Sequence, residues 1–335
     1  MSCKLAVVIP CFRVQRHIAE VLGGIGEEVD LIYVVDDQCP EHSGAFVQEG
    51  VNDTRVRVIS REQNGGVGAA TLTGIKQALA DGADIVVKID GDGQMDPALV
   101  PALVAPIRRG EADYTKGNRF FYLEGLSRMP LIRLIGNAAL SFVTKLSSGY
   151  WTVFDPTNGF VAIHADIARL LPLEKISPRY FFESDMLFRL NTVRAVVVDV
   201  PIPTRYGTEV SGLRISRAMF EFFMGNIRNL AKRIFYNYLL RDFSIGSLYL
   251  LAGLPLFVFG VIFGMLSWLE HAQLNIVASA GTVMLAALPV IIGFQLLLAF
   301  LAFDMQSVPR TVMHTRLLPP NLVPRPGNGP NKRSG

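Results

Sequence analysis

Asp90-Gly-Asp-Gly-Gln94 sets three oxygen donors, Asp90, Asp92 and Gln94, at alternate positions of a glycine-rich turn. Alternate residues of an extended turn point the same way, so the three can converge on one hard cation. Such donors suit Mg²⁺ or Mn²⁺, whose shell is then completed by water and phosphate oxygens. Asp and Gly also fill turns for conformational reasons alone. A second acidic cluster, Asp36-Asp37, favours the metal reading. A carboxylate pair there can hydrogen-bond a nucleoside, and a cation held by Asp92 can bridge the attached diphosphate. Asn64-Gly-Gly-Val-Gly68 opens a helix, where backbone N–H groups can face an anion or merely form a tight turn. No Gly-Lys-Ser/Thr follows, which excludes a phosphate loop of the Walker type.

The elements that must position these groups alternate. Lys4–Ile9, Leu31–Val35, Val56–Ser60 and Asp84–Ile89 are continuous apolar or β-branched runs, as buried strands require. Helical stretches separate them, at about Gln15–Gly24, Ser43–Glu49, Gly68–Ala80 and Pro97–Arg109. Alternation of this kind predicts an α/β fold with a mixed, mostly parallel sheet. Ligands then sit at the carboxyl ends of the strands, where both acidic clusters fall. Past Asp113–Gly117 the pattern loosens: a loop with Phe120, Phe121, Tyr122 and Met129, a helix over Leu131–Leu146, a helix from Glu183 and a strand over Ala195–Val200.

Two uncharged runs follow, 27 residues from Phe243 to Leu269 and 32 from Ala272 to Phe303. Each exceeds the roughly 20 apolar residues needed to cross a bilayer. The domains expected are a front α/β domain (1–212), a juxtamembrane amphipathic helix (213–242), a two-helix hairpin (243–303, spans about 243–269 and 276–303) and a basic, proline-rich tail (304–335). Phe220, Phe223, Ile227, Leu230 and Ile234 recur at steps of three and four, so that helix can lie in the membrane interface or pack on the domain. Six basic residues and one acid between Leu213 and Arg241, with a basic tail, place both flanks in the cytoplasm. The turn between the spans offers only Glu270 and His271. The apolar start is too short for a signal peptide and ends at Pro10, so the front domain is expected to stay inside. Three unpaired cysteines suit a reducing compartment. Five scattered histidines give no zinc spacing, there is no internal repeat, and a net charge of +3 gives no nucleic-acid footprint.

Val7-Val-Ile-Pro-Cys-Phe12, Val34-Val-Asp-Asp37, Arg61…Asn64-Gly-Gly-Val-Gly68…Gly74, Asp90-Gly-Asp-Gly-Gln94 and Gly117-Asn-Arg119 resemble, in order and spacing, the family 2 glycosyltransferases. Within them the chain is similar to the dolichol-phosphate mannosyltransferase and bacterial polyprenyl-phosphate glycosyltransferase branch, over about residues 4–215. The resemblance implies a GT-A (Rossmann-like) domain. It implies that Pro10, Phe12, Val35, Asp36, Asp37, Asp90, Gly91 and Arg205 bind the nucleotide sugar. Asp90, Asp92 and Gln94 hold Mg²⁺ or Mn²⁺, and Asp92, Arg119, Arg133 and Arg205 act on the phosphates of donor and acceptor. Two positions depart from the family pattern: Val14 replaces an acid, and Ser211-Gly212 lacks a lysine.

The reaction implied is inverting transfer of a hexose from a GDP- or UDP-sugar to a polyprenyl phosphate, for cell-envelope glycan synthesis. Asp155 in Asp155-Pro-Thr-Asn-Gly-Phe160 faces the sugar or makes a turn. Glu183 and Asp185 act as base or sugar contact, or merely favour a helix start. A processive synthase is disfavoured, because neither Trp151 nor Trp268 stands in a Gln-x-x-Arg-Trp setting. A non-phosphate acceptor and a non-catalytic nucleotide-sugar-binding scaffold are the alternatives. Gly253, Gly260 and Gly264 on the first span can pack it on the second or join copies of the chain.

Overall fold

The computed structural model describes residues 3–122, 131–203 and 215–317, the side chains of 131–134 and 215–219 excepted. Strands β1 (Leu5–Cys11), β2 (Leu31–Asp36), β3 (Val56–Ser60) and β4 (Ile85–Lys88) alternate with helices α1 (Gln15–Gly23), α2 (Ser43–Gly50) and α3 (Val67–Ala80). Next come α4 (Val100–Arg108), β5 (Tyr114–Asn118), α5 (Leu131–Ser148), β6 (Val161–His164), α6 (Ala165–Leu170), α7 (Phe182–Thr192) and β7 (Val197–Pro201). The seven strands form one sheet in the order β3-β2-β1-β4-β6-β5-β7. Only β6 runs antiparallel to its neighbours, between β4 and β5.

Period-two alternation splits the core into two layers. Leu5, Val7 and Ile9 of β1 pack with Ile18 of α1 and Leu103 of α4. Ala6 and Val8 face the other way, with Ile75 of α3 and Leu187 of α7. A strand covered on both faces must be apolar throughout, which is why β1 reads as a continuous run. β1 pairs with β2 on one side and β4 on the other. The chain reverses its direction of winding there, and a crevice opens at the carboxyl ends.

Helix α8 (Ile215–Ile234) continues into a π-helical segment, Phe235–Arg241. Polar side chains make most of its buried contacts with the domain, with Phe222 adding an edge-on ring contact to Phe181. Asn226, Asn229, Arg233 and Asn237 are buried, while Phe220, Phe223, Met224 and Ile227 are exposed. Asn226 Oδ1 accepts from Ser147 Oγ, Asn229 donates to Asp185 Oδ1, and Asn237 donates to Asn191 Oδ1. The apolar stripe is thus turned away from the protein.

Helices α9 (Ile245–Leu274) and α10 (Ala280–Gln306) are 30 and 27 residues long and contain 18-residue stretches of mean hydropathy 2.2 and 2.4, long and apolar enough to cross a membrane. α9 runs past Glu270 and His271, so this pair rides on its last turns rather than in the connection. A Cβ on Gly253 would press on Leu296, and one on Gly260 on Val290, each under 3.0 Å. The small residues therefore let α9 and α10 approach each other within the hairpin.

Two carboxylates tie the hairpin to the domain. Asp304, near the end of α10, accepts from Arg233 Nη1 at 2.6 Å, Arg233 Nη2 at 2.9 Å, Tyr238 Oη at 2.6 Å and Trp151 Nε1 at 2.8 Å. Asp113, fully buried before β5, accepts from the backbone N–H groups of Met313, His314 and Val196. His314 also stacks on His164, with ring centroids 4.0 Å apart. Removing one partner of a buried ion pair leaves the other uncompensated, at a cost of about 3–5 kcal/mol. Asp304→Ala should therefore destabilise the full chain in detergent by about 3–5 kcal/mol, read as a lower thermal midpoint. A loss under about 1 kcal/mol would show that Arg233 finds another partner at no cost.

Candidate active site

The crevice at the ends of β1, β2 and β4 holds a cavity of about 890 Å³. Pro10, Phe12 and Val14 line it from the end of β1, Asp37 and Gln38 from the end of β2. Asn64 and Gly66 contribute from the start of α3, and Asp90, Gly91, Asp92 and Gln94 from the turn after β4. Phe12 is half-exposed, presenting an aromatic ring at the rim. Val14, where the family pattern has an acid, forms an apolar part of the wall.

The two aspartates after β2 differ in role. Asp37 reaches the cavity wall and organises it. Its Oδ1 accepts from Gly65 N at 3.0 Å, and its Oδ2 from Gly66 N at 2.6 Å. Arg61 pairs with the same carboxylate at 2.5 Å. The anion that the glycine loop grips is thus the side chain of Asp37. Gly66 has φ +91°, a left-handed conformation that side chains rarely adopt, and a Cβ there would meet Arg179. Asp36, expected to bind the nucleotide sugar, lies behind the wall. Its two oxygens accept from Cys39 N and Gly44 N, each at 2.7 Å, which anchors the start of α2. Val35 is fully buried in the core beneath it.

In the turn after β4, Asp92 Oδ1 accepts from Gln94 N at 3.0 Å, a local bond that shapes the turn. Asp90 Oδ1 lies 2.8 Å from Lys88 Nζ. Lys88 in turn reaches Glu183 Oε1 at 3.3 Å, across 95 residues of chain. Burial alone would lower the Lys88 pKa, but the Asp90 and Glu183 carboxylates outweigh it and hold the pKa above its ordinary value. Among the described residues no three His, Cys, Asp or Glu side chains form a metal cluster. The oxygen set that the turn after β4 presents to the cavity is two carboxylates and one amide.

Other expected residues fall elsewhere. Arg119 Nε and Nη2 bind Asp155 Oδ2 and Oδ1 at 2.8 and 3.2 Å, so these two candidates form one fork-to-fork pair. Asp155 is fully buried and spends its charge on Arg119, outside the cavity wall. Asp185, considered as a base or sugar contact, ties the 177 loop and α8 to α7 through Ser177 N, Arg189 and Asn229. Arg205 and Ser211 lie outside the described residues, as does the side chain of Arg133.

Arg13, Arg179 and Tyr180 also line the cavity and were not expected. The segment carrying Arg179 and Tyr180 is docked onto α3 by a bond from Ala69 N to Pro178 O. No local spacing signals that contact, which joins two distant loops. The same holds for Lys116, whose Nζ donates to the Asn158 carbonyl in the interior. Burial pushes its pKa down to about 8, against the pull of Glu183 and Asp155.

Between pH 8 and the ordinary lysine value the unfolded chain binds the Lys116 proton more tightly than the folded one, so this group makes stability rise with pH over that window. Lys116→Met should flatten that rise relative to wild type. Thermal midpoints of both proteins at pH 8.0 and 9.5 test this, and identical slopes would show that the ammonium is not strained.

Residues 6–171 match the family model for glycosyl transferase family 2. The chain is 31% identical over 237 residues to the UDP-N-acetylglucosamine–dolichyl-phosphate N-acetylglucosaminyltransferase of Methanococcus voltae, covering 66% of this chain and 94% of that one. It is 29% identical to the undecaprenyl-phosphate mannosyltransferase of Micrococcus luteus, over 59% of this chain and 82% of the relative. Among solved structures, glucosyl-3-phosphoglycerate synthase from Mycobacterium tuberculosis, in complex with Mn²⁺, UDP and phosphoglyceric acid, shares the fold. Its TM-score is 0.52 at 21% identity, over 69% of this chain and 78% of that one. A match that spans nearly the whole of the M. voltae enzyme, together with the family model, shows that this chain belongs to glycosyl transferase family 2.

Proposed function

We propose that the protein transfers a hexose from a nucleotide sugar to a polyprenyl phosphate at a membrane surface, with inversion at the anomeric carbon. The observation that carries this reading is the 890 Å³ cavity at the switch point, with the Asp90–Gln94 turn on one wall and Phe12 at its rim. Relatives named for transfer to dolichyl and undecaprenyl phosphate support the acceptor. The exposed apolar stripe of α8 and the hairpin behind it supply a surface for a long isoprenoid tail.

Phe12 stacks on the base, and Asp37 fixes the loop that closes around the ribose. Asp90, Asp92 and Gln94 suit Mg²⁺ or Mn²⁺, since they offer hard oxygens and leave most of a shell to phosphate and water. When bound, such an ion neutralises charge growing on the departing nucleoside diphosphate. Arg13 and Arg179 line the same cavity and offer cations to the diphosphate. Arg119, held by Asp155, keeps its fork in one orientation near the end of β5, where an acceptor phosphate can approach. Arg133 and Arg205 are assigned to the same task by their motif positions.

An acceptor phosphate needs little help from a base, because its second pKa lies near about 6 and it is already mostly dianionic at neutral pH. What the protein supplies is orientation and neutralisation of two anions that would otherwise repel. The basic excess on both flanks of the hairpin supports a topology with the catalytic domain and both flanks on the cytoplasmic side. The α8 helix lies in the interface with Phe220, Phe223 and Ile227 toward lipid.

Membranes containing the protein, given labelled UDP- and GDP-hexoses, undecaprenyl phosphate and Mn²⁺, should move label from one donor into the lipid phase. Asp92→Ala should reduce that transfer at least a hundredfold while the protein stays folded in the membrane. Near-normal transfer by the variant in excess chelator would overturn the metal assignment. Label on water or on a soluble acceptor instead of the lipid would overturn the acceptor.

A further inference from the structure

We infer that Lys88 is a positioning residue: its buried ammonium clamps Asp90 of the acidic turn to Glu183 at the start of α7. Its catalytic consequence rests on the proposed transfer reaction, whereas its effect on cation binding is judged separately.

Lys88 ends β4 and is 2% exposed. A lysine so deeply buried is rare unless it is paired. Here Nζ lies 2.8 Å from Asp90 Oδ1 and 3.3 Å from Glu183 Oε1. Asp90 lines the cavity, whereas Lys88 and Glu183 lie behind it. The cation therefore acts through Asp90 and not by touching a ligand. Glu183 is its second anchor, occupied by the ammonium instead of standing free as a base. The neighbouring buried lysine cannot replace it, because Lys116 Nζ is engaged by the Asn158 carbonyl.

The space around the ammonium is built for it. A Cβ on Gly159 would overlap Lys88 Nζ and come within 2.8 Å of Asp90 Oδ2. Glycine there leaves the volume in which lysine and carboxylate meet. Remove the ammonium, and Asp90 and Glu183 are left as two anions without a shared partner, free to rotate apart. A group that orients a metal ligand typically costs 10–100-fold in metal affinity or activity when it is lost.

Full-length wild type, Lys88→Met and Gly159→Ala in detergent are compared by Mn²⁺ titration, with free Mn²⁺ read by electron paramagnetic resonance, and by transfer kinetics at saturating Mn²⁺. Gly159→Ala changes no charge and crowds the ammonium, and less closely Asp90 Oδ2, by volume alone, so it carries the test if Lys88→Met fails to fold. Both variants should bind Mn²⁺ about tenfold or more weakly. Their kcat should fall by about as much, with KM for the donor changing far less. Folded variants that bind Mn²⁺ as wild type does, or more tightly, overturn the positioning role. Wild type that binds Mn²⁺ but transfers no sugar sinks the transferase reading, and the Mn²⁺ comparison alone then judges Lys88.

Discussion

Asp304 is 2% exposed at the end of α10, and donors from three other parts of the chain converge on it. Arg233 comes from the helix before the hairpin, Tyr238 from the π-helical segment and Trp151 from the catalytic domain. A carboxylate so enclosed is tolerable only with its charge met and both oxygens bonded. That requirement fixes the two apolar helices against the domain. It also explains the π-helical segment: the extra residue per turn there brings Tyr238 round to Asp304 while Asn237 reaches Asn191. The cavity is therefore held at a set place relative to any membrane the hairpin crosses.

Most acidic groups near the strand ends are spent in the same way, on scaffolding. Asp36 anchors α2, Asp37 anchors the glycine loop, Asp185 anchors α8, and Asp155 holds Arg119. Each is buried, so each must be matched by N–H groups or by an arginine. Asp90, Asp92 and Gln94 stand, together with Asp37, at the cavity wall, where water or ligand can also reach them.

Helix α8 inverts the usual pattern of a surface helix. Its asparagines and Arg233 bond to the domain, and Phe220 and Phe223 face outward. In water such an apolar stripe would be unfavourable, because nothing removes it from solvent. Beside two helices long and apolar enough to cross a membrane, it is the face that a lipid surface would cover.

The sequence by itself determined the elements and the chemistry within each turn. The apolar runs of β1, β2 and β4 were legible because strands covered on both faces are mostly apolar, with Asp36 and Lys88 only at the ends of β2 and β4. The Asp90–Gln94 turn was legible because its donors are two residues apart. The two long apolar helices were legible by length. Past Asp113 the helices over 131–146 and from Glu183 and the strand ending at Val200 were legible as well, but β6 was not, and tertiary structure decided it. β6 is only four residues long and gains its place by pairing between β4 and β5. Nor did spacing reveal that Lys88 meets Glu183, that Arg179 reaches the cavity, or that Asp36 turns away from it. Local periodicity reports which face of an element is apolar. Which buried charges meet depends on how distant elements dock, and that is fixed only when every charge in the low-dielectric interior has found its partner.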